Sequence, residues 1–529
     1  MEPNIEKKPN VFKRFRNYLS SPGRQFAVQS AAPTQFLHKG NEETDCDINI
    51  VGSDLPHNIS IYNEANKKSR GARFFDKVTD IAGSSFMFIL TCIILIIWAI
   101  WGGVSKAPDE WQIVMQDGSS IQCYISDTLL MRQQQNHSNR LLTVIAQLRS
   151  RCITFDKLVK QTYEKHPKLT PYELKELAER MPEDTLGDAT KLPTENFFDV
   201  CCNWASEAVG SLTSLLIYSA GVIAWVCIGD YLSWSDEWQL YINTAVAVEL
   251  TFTSMFLQNT RRRHMQYLER CLECIHEIDI NLEVLLRQTT GDNTPNPIVS
   301  IPPTPVSRGI RMIDYYGDVI GTGIGAFISL CVFIVWFGIG SPMGWSDNWW
   351  LIIGTYTGLV GFLDGFVLRN VYFRQDNVLD EQFDILTDSD KAIFQFLNLY
   401  LPEQNESPKQ SFGQRLSARM GYICATPLAV LFAVLVIIGL ICVASGMKWN
   451  VTGQLLCNSP TMIIEGFLLI VLLQAHNMSN TVRRVQMKDI FVRRVRLLHY
   501  IRMVTGANEH YDINEKHIQE STVVNEKKK

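Results

Sequence analysis

Residues 319–374 read VIGTGIGAFISLCVFIVWFGIGSPMGWSDNWWLIIGTYTGLVGFLDGFVLRNVYFR. The first part, Val319–Gly340, carries no charge, and a membrane-spanning helix needs ~20 mostly apolar residues. A short turn follows, Gly344-Trp345-Ser346-Asp347-Asn348-Trp349-Trp350. Tryptophan at such a turn suits the membrane interface, where its ring meets apolar and wet surroundings together. The chain then re-enters an apolar stretch holding Asp364 and ending on Arg369 and Arg374. This is a membrane hairpin whose return helix carries an acid at depth.

Three other stretches share the layout, so 74–136, 197–260 and 415–479 join 311–374 as four hairpins. Their charge-free runs are Ile89–Trp101, Val209–Gly229 and Thr426–Gly446, and their turns hold Asp109-Glu110-Trp111, Trp234-Ser235-Asp236-Glu237-Trp238 and Gly446-Met447-Lys448-Trp449. Averages hide this segregation: 529 residues, 46% hydrophobic, with a formal charge of −5, would also fit a soluble protein. Asp127 precedes Arg132 by five residues, as Asp364 precedes Arg369; Glu249 precedes Gln258 by nine, as Glu465 precedes Gln474. Units one and three therefore pair, as do two and four. The expected fold is all-α and integral to the membrane: about eight transmembrane helices from four helical hairpins, arranged as a duplicated pair about an axis along the membrane normal, with cytoplasmic amphipathic helices.

Lysine and arginine set the orientation. They cluster before the first span (Lys67, Lys68, Arg70, Arg73, Lys77) and after the even spans (Arg132, Arg140, Arg149; Arg261, Arg262, Arg263; Arg369, Arg374; Arg483, Arg484), whereas the short turns hold only Lys106 and Lys448. Both termini and the long connections are expected in the cytoplasm. Residues 1–73 read as a disordered cytoplasmic tail. The connections are 137–196, 261–310 and 375–414, and 480–529 forms a basic helix and tail. Arg140–Tyr163 and Met265–Gln288 have amphipathic spacing, and the proline-rich Asn293–Arg308 reads as a stiff extended tether. The sequon at Asn450 lies too close to the membrane to expect a glycan. Thirteen scattered cysteines form neither a zinc ribbon nor a disulfide framework.

The even spans carry the chemistry. Each places carboxylates at depth: Asp117 and Asp127, Glu249, Asp364, Glu465. An ionisable group there costs ~2.5–3.5 kcal/mol by insertion scales, so such groups turn inward and find partners; four acid-bearing helices imply a central cation pathway. The second span, Met115-Gln-Asp-Gly-Ser-Ser-Ile-Gln-Cys-Tyr-Ile-Ser-Asp127, lines Gln116, Ser120, Cys123 and Asp127 on one stripe, bordered by Met115 and Asp117. Such a helix lines a cavity or breaks near Gly118; its polar groups otherwise only hold the bundle together. Oxygen donors with a thiol or thioether suit a divalent transition metal better than an alkali ion. On the last span Asn458, Thr461 and Glu465 share a face, Pro460 removes a helix hydrogen bond and opens the helix, and His476 either passes metal to the cytosol or hydrogen-bonds at the interface. Glycines 354, 358, 361 and 365 read as close helix packing. Arg132 and Arg369 are positive-inside anchors or partners that gate the acids. Gly321-Thr-Gly323-Ile-Gly325 imitates a dinucleotide fingerprint but lacks the preceding strand. There is no GxxxxGK[ST], no histidine cluster of the di-iron oxygenases, and no Arg-Glu-x-x-Glu within a span.

Several strings resemble the low-affinity ferrous iron permease family across roughly residues 74–500: Met115-Gln-Asp-Gly118, Asp127-Thr-Leu-Leu-Met-Arg-Gln-Gln134, Trp238–Val248, Gly340–Gly358, Gly361–Arg369, Pro460–Glu465 and Leu472–Asn477. The resemblance implies a multi-pass plasma-membrane importer of Fe²⁺ that also admits Zn, Cu, Mn and Co. It supports Asp127, Asp364 and Glu465 and leaves Glu249 unsupported. The expected partners are divalent metal ions and the lipid bilayer, without nucleic acid; the metal is cargo, and no resident cofactor or enzyme activity is expected. A passive cation channel, or a membrane scaffold or enzyme with structural acids, are the alternatives. Sequence does not decide between a monomer and a homodimer.

Overall fold

The computed structural model describes residues 26–36, 50–51, 60–62, 70–166, 169–179, 189, 192, 194, 197–401 and 412–507. A three-helix unit occurs four times. It comprises a 13-residue helix, an apolar helix of 17–21 residues and a very long one: α1 (Arg70–Ala82), α2 (Ser85–Ser105) and α3 (Asp109–Lys165) come first. After the short α4 (Pro171–Glu179) come α5 (Phe197–Val209), α6 (Leu212–Ile228) and α7 (Asp236–Thr290). Next stand α8 (Arg308–Ile320), α9 (Gly323–Gly340) and α10 (Asp347–Phe396). The last three are α11 (Phe412–Cys424), α12 (Pro427–Gly446) and α13 (Val451–Thr505).

The chain breaks between the first two helices of each unit, at Gly83-Ser84, Gly210-Ser211, Gly321-Thr322 and Ala425-Thr426. Ser84, Ser211 and Thr426 cap the apolar helix by accepting from Met87, Ser214 and Ala429 N–H. The bend is 58° between α5 and α6 and 62° between α8 and α9. Each of these 13-residue helices therefore turns sharply away from the direction of the apolar helix that follows it.

The turn into each long helix is also repeated. Two successive residues adopt the left-handed conformation: Lys106-Ala107, Ser233-Trp234, Gly344-Trp345 and Lys448-Trp449. The second donates its N–H five residues back, to Gly102, Gly229, Gly340 and Ala444 O at 2.9–3.0 Å, which is how a helix C-terminus satisfies its orphan carbonyls. A tryptophan pair clasps three of the turns. Trp98 stacks on Trp111 at 4.1 Å, Trp225 on Trp238 at 3.9 Å and Trp336 on Trp349 at 4.4 Å, and each indole N–H donates to the other residue's carbonyl. Leu440 and Gly453 hold the equivalent places in the fourth unit, where Cys457 Sγ donates to Leu440 O instead. Trp349 is 1% exposed. Trp349→Ala is therefore expected to destabilise the fold by ~3–5 kcal/mol and Trp349→Phe, which loses mainly the hydrogen bond, by ~1 kcal/mol. Thermal unfolding in detergent reads the difference; equal melting temperatures would mean the clasp holds nothing.

The long helices form a closed ring, α3–α7–α13–α10, in which each packs on its two neighbours. All four enter from the tryptophan turns and so run the same way. A twofold axis along such a ring exchanges opposite members, α3 with α13 and α7 with α10. The duplicated pair expected from sequence exchanges neighbours, so that axis does not describe this ring. The matched acids are also out of step: Asp127 falls twenty residues beyond Ala107 but Asp364 nineteen beyond Trp345, and Glu249 fifteen beyond Trp234 but Glu465 sixteen beyond Trp449. One residue is ~100° of helix, enough to point equivalent side chains differently.

The shorter apolar helices stand outside the ring. The apolar window is only 6% buried in α2 and 17% in α12, against 67–78% in α7, α10 and α13, and Ile97, Leu216, Phe327 and Leu431 lie exposed where lipid would cover them. Among the described residues, five helices are long and apolar enough to cross a membrane, or seven if each bent pair counts as one span. α3, with its polar run from Met115 to Asp127, fails that test yet completes the ring.

At ~1.5 Å per residue, helices of 50–57 residues far exceed a hydrocarbon core ~30 Å thick. They leave the membrane as a four-helix stalk with its own core, including Ile145, Phe155, Leu282, Phe383 and Ile490. The amphipathic stretches 140–163 and 265–288 are thus continuations of α3 and α7, not separate helices. Helix breaks at Gly118 and Pro460 do not occur, since α3 and α13 run through both. Asn450 accepts from Gly453 N–H at 2.8 Å as the cap of α13.

Part of the expected N-terminal tail is ordered. β1 (Phe26–Ser30) pairs antiparallel with β4 (Ile298–Ile301), and β2 (Ile50–Val51) and β3 (Ser60–Tyr62) complete a sheet in the order β2-β4-β1-β3. Residues 298–301 of the proline-rich tether are therefore a strand, part of a small sheet attached to an otherwise helical fold. Val28, Val299 and Ile301 pack with Ala146 of the stalk. Ala32 N–H donates to Ser150 Oγ at 3.2 Å and Gln35 N–H to Glu283 at 3.1 Å. Five residues whose partner lies some 270 positions away leave no local signature. Residues 1–25, 37–49, 52–59 and 63–69, which include Lys67 and Lys68, and residues beyond 507 lie outside the described residues. The described cysteines are all free.

Candidate functional site

Measured from the turns, the long helices deliver polar side chains to the ring interior in successive storeys. Five residues past each second left-handed residue stand Gln112, Gln239 and Gln454, with Trp350 on α10. All three glutamines are buried, and their Oε1 atoms have no partner in the protein. One turn deeper stand Gln116, Asn243 and Asn458, with Gly354 on α10. Asn243 Nδ2 donates to Gln116 Oε1 at 3.2 Å. Gln116 Nε2, Asn243 Oδ1, both polar atoms of Asn458 and both oxygens of Asp117 have none. A buried polar group without a partner costs ~1–3 kcal/mol, so a dry column of this length would cancel the ~5–15 kcal/mol that holds a typical domain together. These atoms are therefore placed to be satisfied by groups from outside the protein, such as water.

α10 makes the room. A methyl group at Gly354 would fall on the Asp117 carboxylate; at Gly358 it would come 2.6 Å from Asn458 Oδ1, at Gly361 3.0 Å from a Glu465 oxygen and at Gly365 3.3 Å from the Arg369 guanidinium. The glycine stripe read as helix packing is thus a groove occupied by the polar side chains of its neighbours and of Arg369 itself.

The acids gather below. Asp127, Asp364, Glu249 and Arg369 all lie within electrostatic reach of Glu465, and Cys123 is near Glu465, Asp127 and Glu249. Asp364 accepts from Tyr316 of α8 at 2.7 Å and leaves Oδ2 unpartnered. Glu249 sits toward the flank: it accepts from Thr253 at 2.6 Å, and it and the Tyr218 hydroxyl of α6 would each lie 2.7 Å from a methyl at Gly466. Met115 is not on the axis. It lines a crevice of about 500 Å³ between α2, α3 and α7, with Ser119, Gln122 and Ser126; Ser119 and Ser126 bond α7 through Ala247 O and Gln258.

The two arginines separate. Arg132 pairs with Asp76 of α1 at 2.9 Å. Arg369 is not at the boundary: it is 1% exposed, donates to Gly365 O, and is a cation among the acids. His476 lies deeper still, stacked on Tyr372 at 4.1 Å, with Nδ1 3.0 Å from Leu472 O and Nε2 unpartnered. It lines a chamber of about 30 Å³ with His137, His264 and Arg261; from the sequence alone Arg261 has only an orienting role and the two histidines have none, one of them standing directly after the Arg261–Arg263 run. The repeated amides had a readable signal, Gln112/Gln116, Gln239/Asn243 and Gln454/Asn458, once the units are aligned on their turns. Among the described residues, no three His, Cys, Asp or Glu side chains converge into a closed metal site; Asp117 stands a storey above the other acids.

A model of the family described as low affinity iron permease matches the chain over residues 71–185, 198–277, 311–400 and 413–527, each stretch opening at one of the 13-residue helices. The chain is 48% identical to the low-affinity iron/zinc ion transport protein of Schizosaccharomyces pombe, over 96% of this chain and 88% of that one. It is 39% identical to the low-affinity Fe(2+) transport protein of Saccharomyces cerevisiae, over 92% and 98%. No solved structure matches it.

Proposed function

Because the chain belongs to the low affinity iron permease family, we propose that it imports ferrous iron, and also zinc, copper, manganese and cobalt, across the plasma membrane along the axis of the four-helix ring. The observation that carries this reading is the column of buried, unpartnered polar atoms from Gln112 to His476. In the proposed topology α3 completes eight crossings, the tryptophan turns face outside, and both termini and the stalk are cytoplasmic.

The ion exchanges waters for ligands one storey at a time: mouth amides, then Gln116, Asn243, Asn458 and Asp117, then Cys123, Asp127, Asp364 and Glu465. Asp127, Asp364 and Glu465 set against Arg369 carry two net negative charges when ionised, the charge that one divalent ion neutralises. No storey offers a closed set of strong ligands, which supports weak, broad binding. For such donors affinity rises from Mn²⁺ through Fe²⁺ to Cu²⁺, so selectivity rests on access. The narrow chamber at His476 supports a gated carrier over an open channel.

An inside-negative potential supplies ~2.3 kcal/mol per charge per 100 mV, so a 2+ ion needs no ATP. In liposomes holding the purified protein and a fluorescent chelator, imposing 100 mV negative inside is expected to speed Fe²⁺ entry several-fold, with saturation in Fe²⁺ and competition by Zn²⁺. Entry no faster than in protein-free liposomes would remove the transport reading.

A further inference from the structure

The ring does not stop at the membrane, and that limits how an ion leaves it. Below the His476 chamber the stalk is sealed by Leu141, Leu268, Phe383 and Met487, one from each long helix and all at most 3% exposed. Arg483 lies over the Phe383 ring at 4.6 Å and pairs with Asp376 at 2.9 Å, flooring the chamber. Deeper still, Arg494 bridges Asp279 and Asp390 at 3.4 and 3.1 Å, and Arg151 reaches Glu283 at 3.5 Å, filling the axis with paired charge. Opening this route would require pulling the whole stalk apart.

One wall of the chamber is thin. Gln134 lines it and is held from both sides: Arg261 donates to its Oε1 at 2.5 Å, and its Nε2 donates to Gln375 Oε1 at 3.1 Å. Gln375 lines a separate cavity of about 420 Å³ between α3 and α10. Asp314 and Asp318 of α8 and Asn139 also line it, its rim at Phe26, Pro302 and Thr304 is exposed, and β1 and β4 form part of its wall. A small chamber and a large open cavity thus share one hydrogen-bonded glutamine pair as their partition.

We infer that the ion leaves sideways, between α3 and α10, when the Gln134–Gln375 pair parts, and passes over Asp314 and Asp318 into the cytosol. The inference rests on the transport reading above. It also gives the N-terminal strand a place, as part of the wall of the exit.

The test uses the full chain in liposomes oriented so that the stalk face can be reached by a bulky, membrane-impermeant cationic methanethiosulfonate reagent. Asn139→Cys places the label in the cavity; Glu269→Cys, at the position that pairs with Arg140 across the α3–α7 seam outside the chamber, places it at the rival seam. Labelled wild type sets the baseline for native cysteines. Labelling Asn139→Cys is expected to slow ⁵⁵Fe²⁺ flux at least tenfold and labelling Glu269→Cys to leave it unchanged. In addition, Gln134→Ala is expected to raise flux, an outcome a misfolded variant cannot produce. Block at Glu269→Cys, block at both, or block at neither overturns the lateral route while the unlabelled protein's flux keeps the transport reading intact. An unlabelled wild type that carries no Fe²⁺ would overturn both.

Discussion

Glu465→Gln and Asp127→Asn are each expected to slow ⁵⁵Fe²⁺ uptake by tenfold or more in cells where the protein reaches the surface at wild-type levels. Both replacements keep the shape and an oxygen donor, so packing is spared and only charge is lost. A unit charge 4 Å from a divalent ion contributes about 8 kcal/mol at an effective dielectric constant of 20. Arg369, buried beside both acids, opposes part of this, and hydration that the ion regains opposes more. A residue of ~1.4 kcal/mol already makes tenfold. The double variant should lose more than either single one, because removing two of three carboxylates leaves Asp364 and Arg369 cancelling and the storey without net charge to attract the cation. Uptake at wild-type rates by surface-expressed single variants would place the acids outside the path. Glu249→Gln is expected to be milder, since Glu249 is turned toward Thr253 and the flank near Tyr218.

The second large effect concerns a residue with no side chain. Gly354→Ala puts a methyl group on the Asp117 carboxylate, and Gly358→Ala puts one 2.6 Å from Asn458 Oδ1. Alanine is the better helix former by ~1 kcal/mol, so neither change weakens α10 for local reasons. Both must displace the polar groups that the groove accommodates. Transport is expected to fall at least tenfold for Gly354→Ala with surface expression retained. Gly338→Ala, in α9 with nothing within 4 Å of the added carbon, is expected to be silent. If Gly354→Ala carried Fe²⁺ normally, Asp117 and Asn458 would not border the pathway at this depth.

Much of this was legible in the residues. Charge-free runs report on the solvent, and a bilayer imposes its terms on each segment separately; hence Val319–Gly340 is readable without its neighbours. The inward acids follow from the same argument, since Asp127, Asp364 and Glu465 have no tolerable alternative to a bundle interior. The family likeness could be quoted from short strings for a similar reason, because polar strings within spans are rare.

What the sequence could not settle depends on neighbours. Whether Arg369 anchors at a surface or stands among acids is decided by α13, which supplies Glu465, whereas Arg132 is met by Asp76 of α1. The glycines of α10 look like packing until Asp117 and Asn458 are seen filling their space. The ring order, the sealed stalk and the Phe26–Ser30 strand are decided by contacts between segments far apart in the chain, where no periodicity carries the information. Local solvent preference is written residue by residue; which helix stands beside which is a property of the packed assembly, and here it decides where an ion can go.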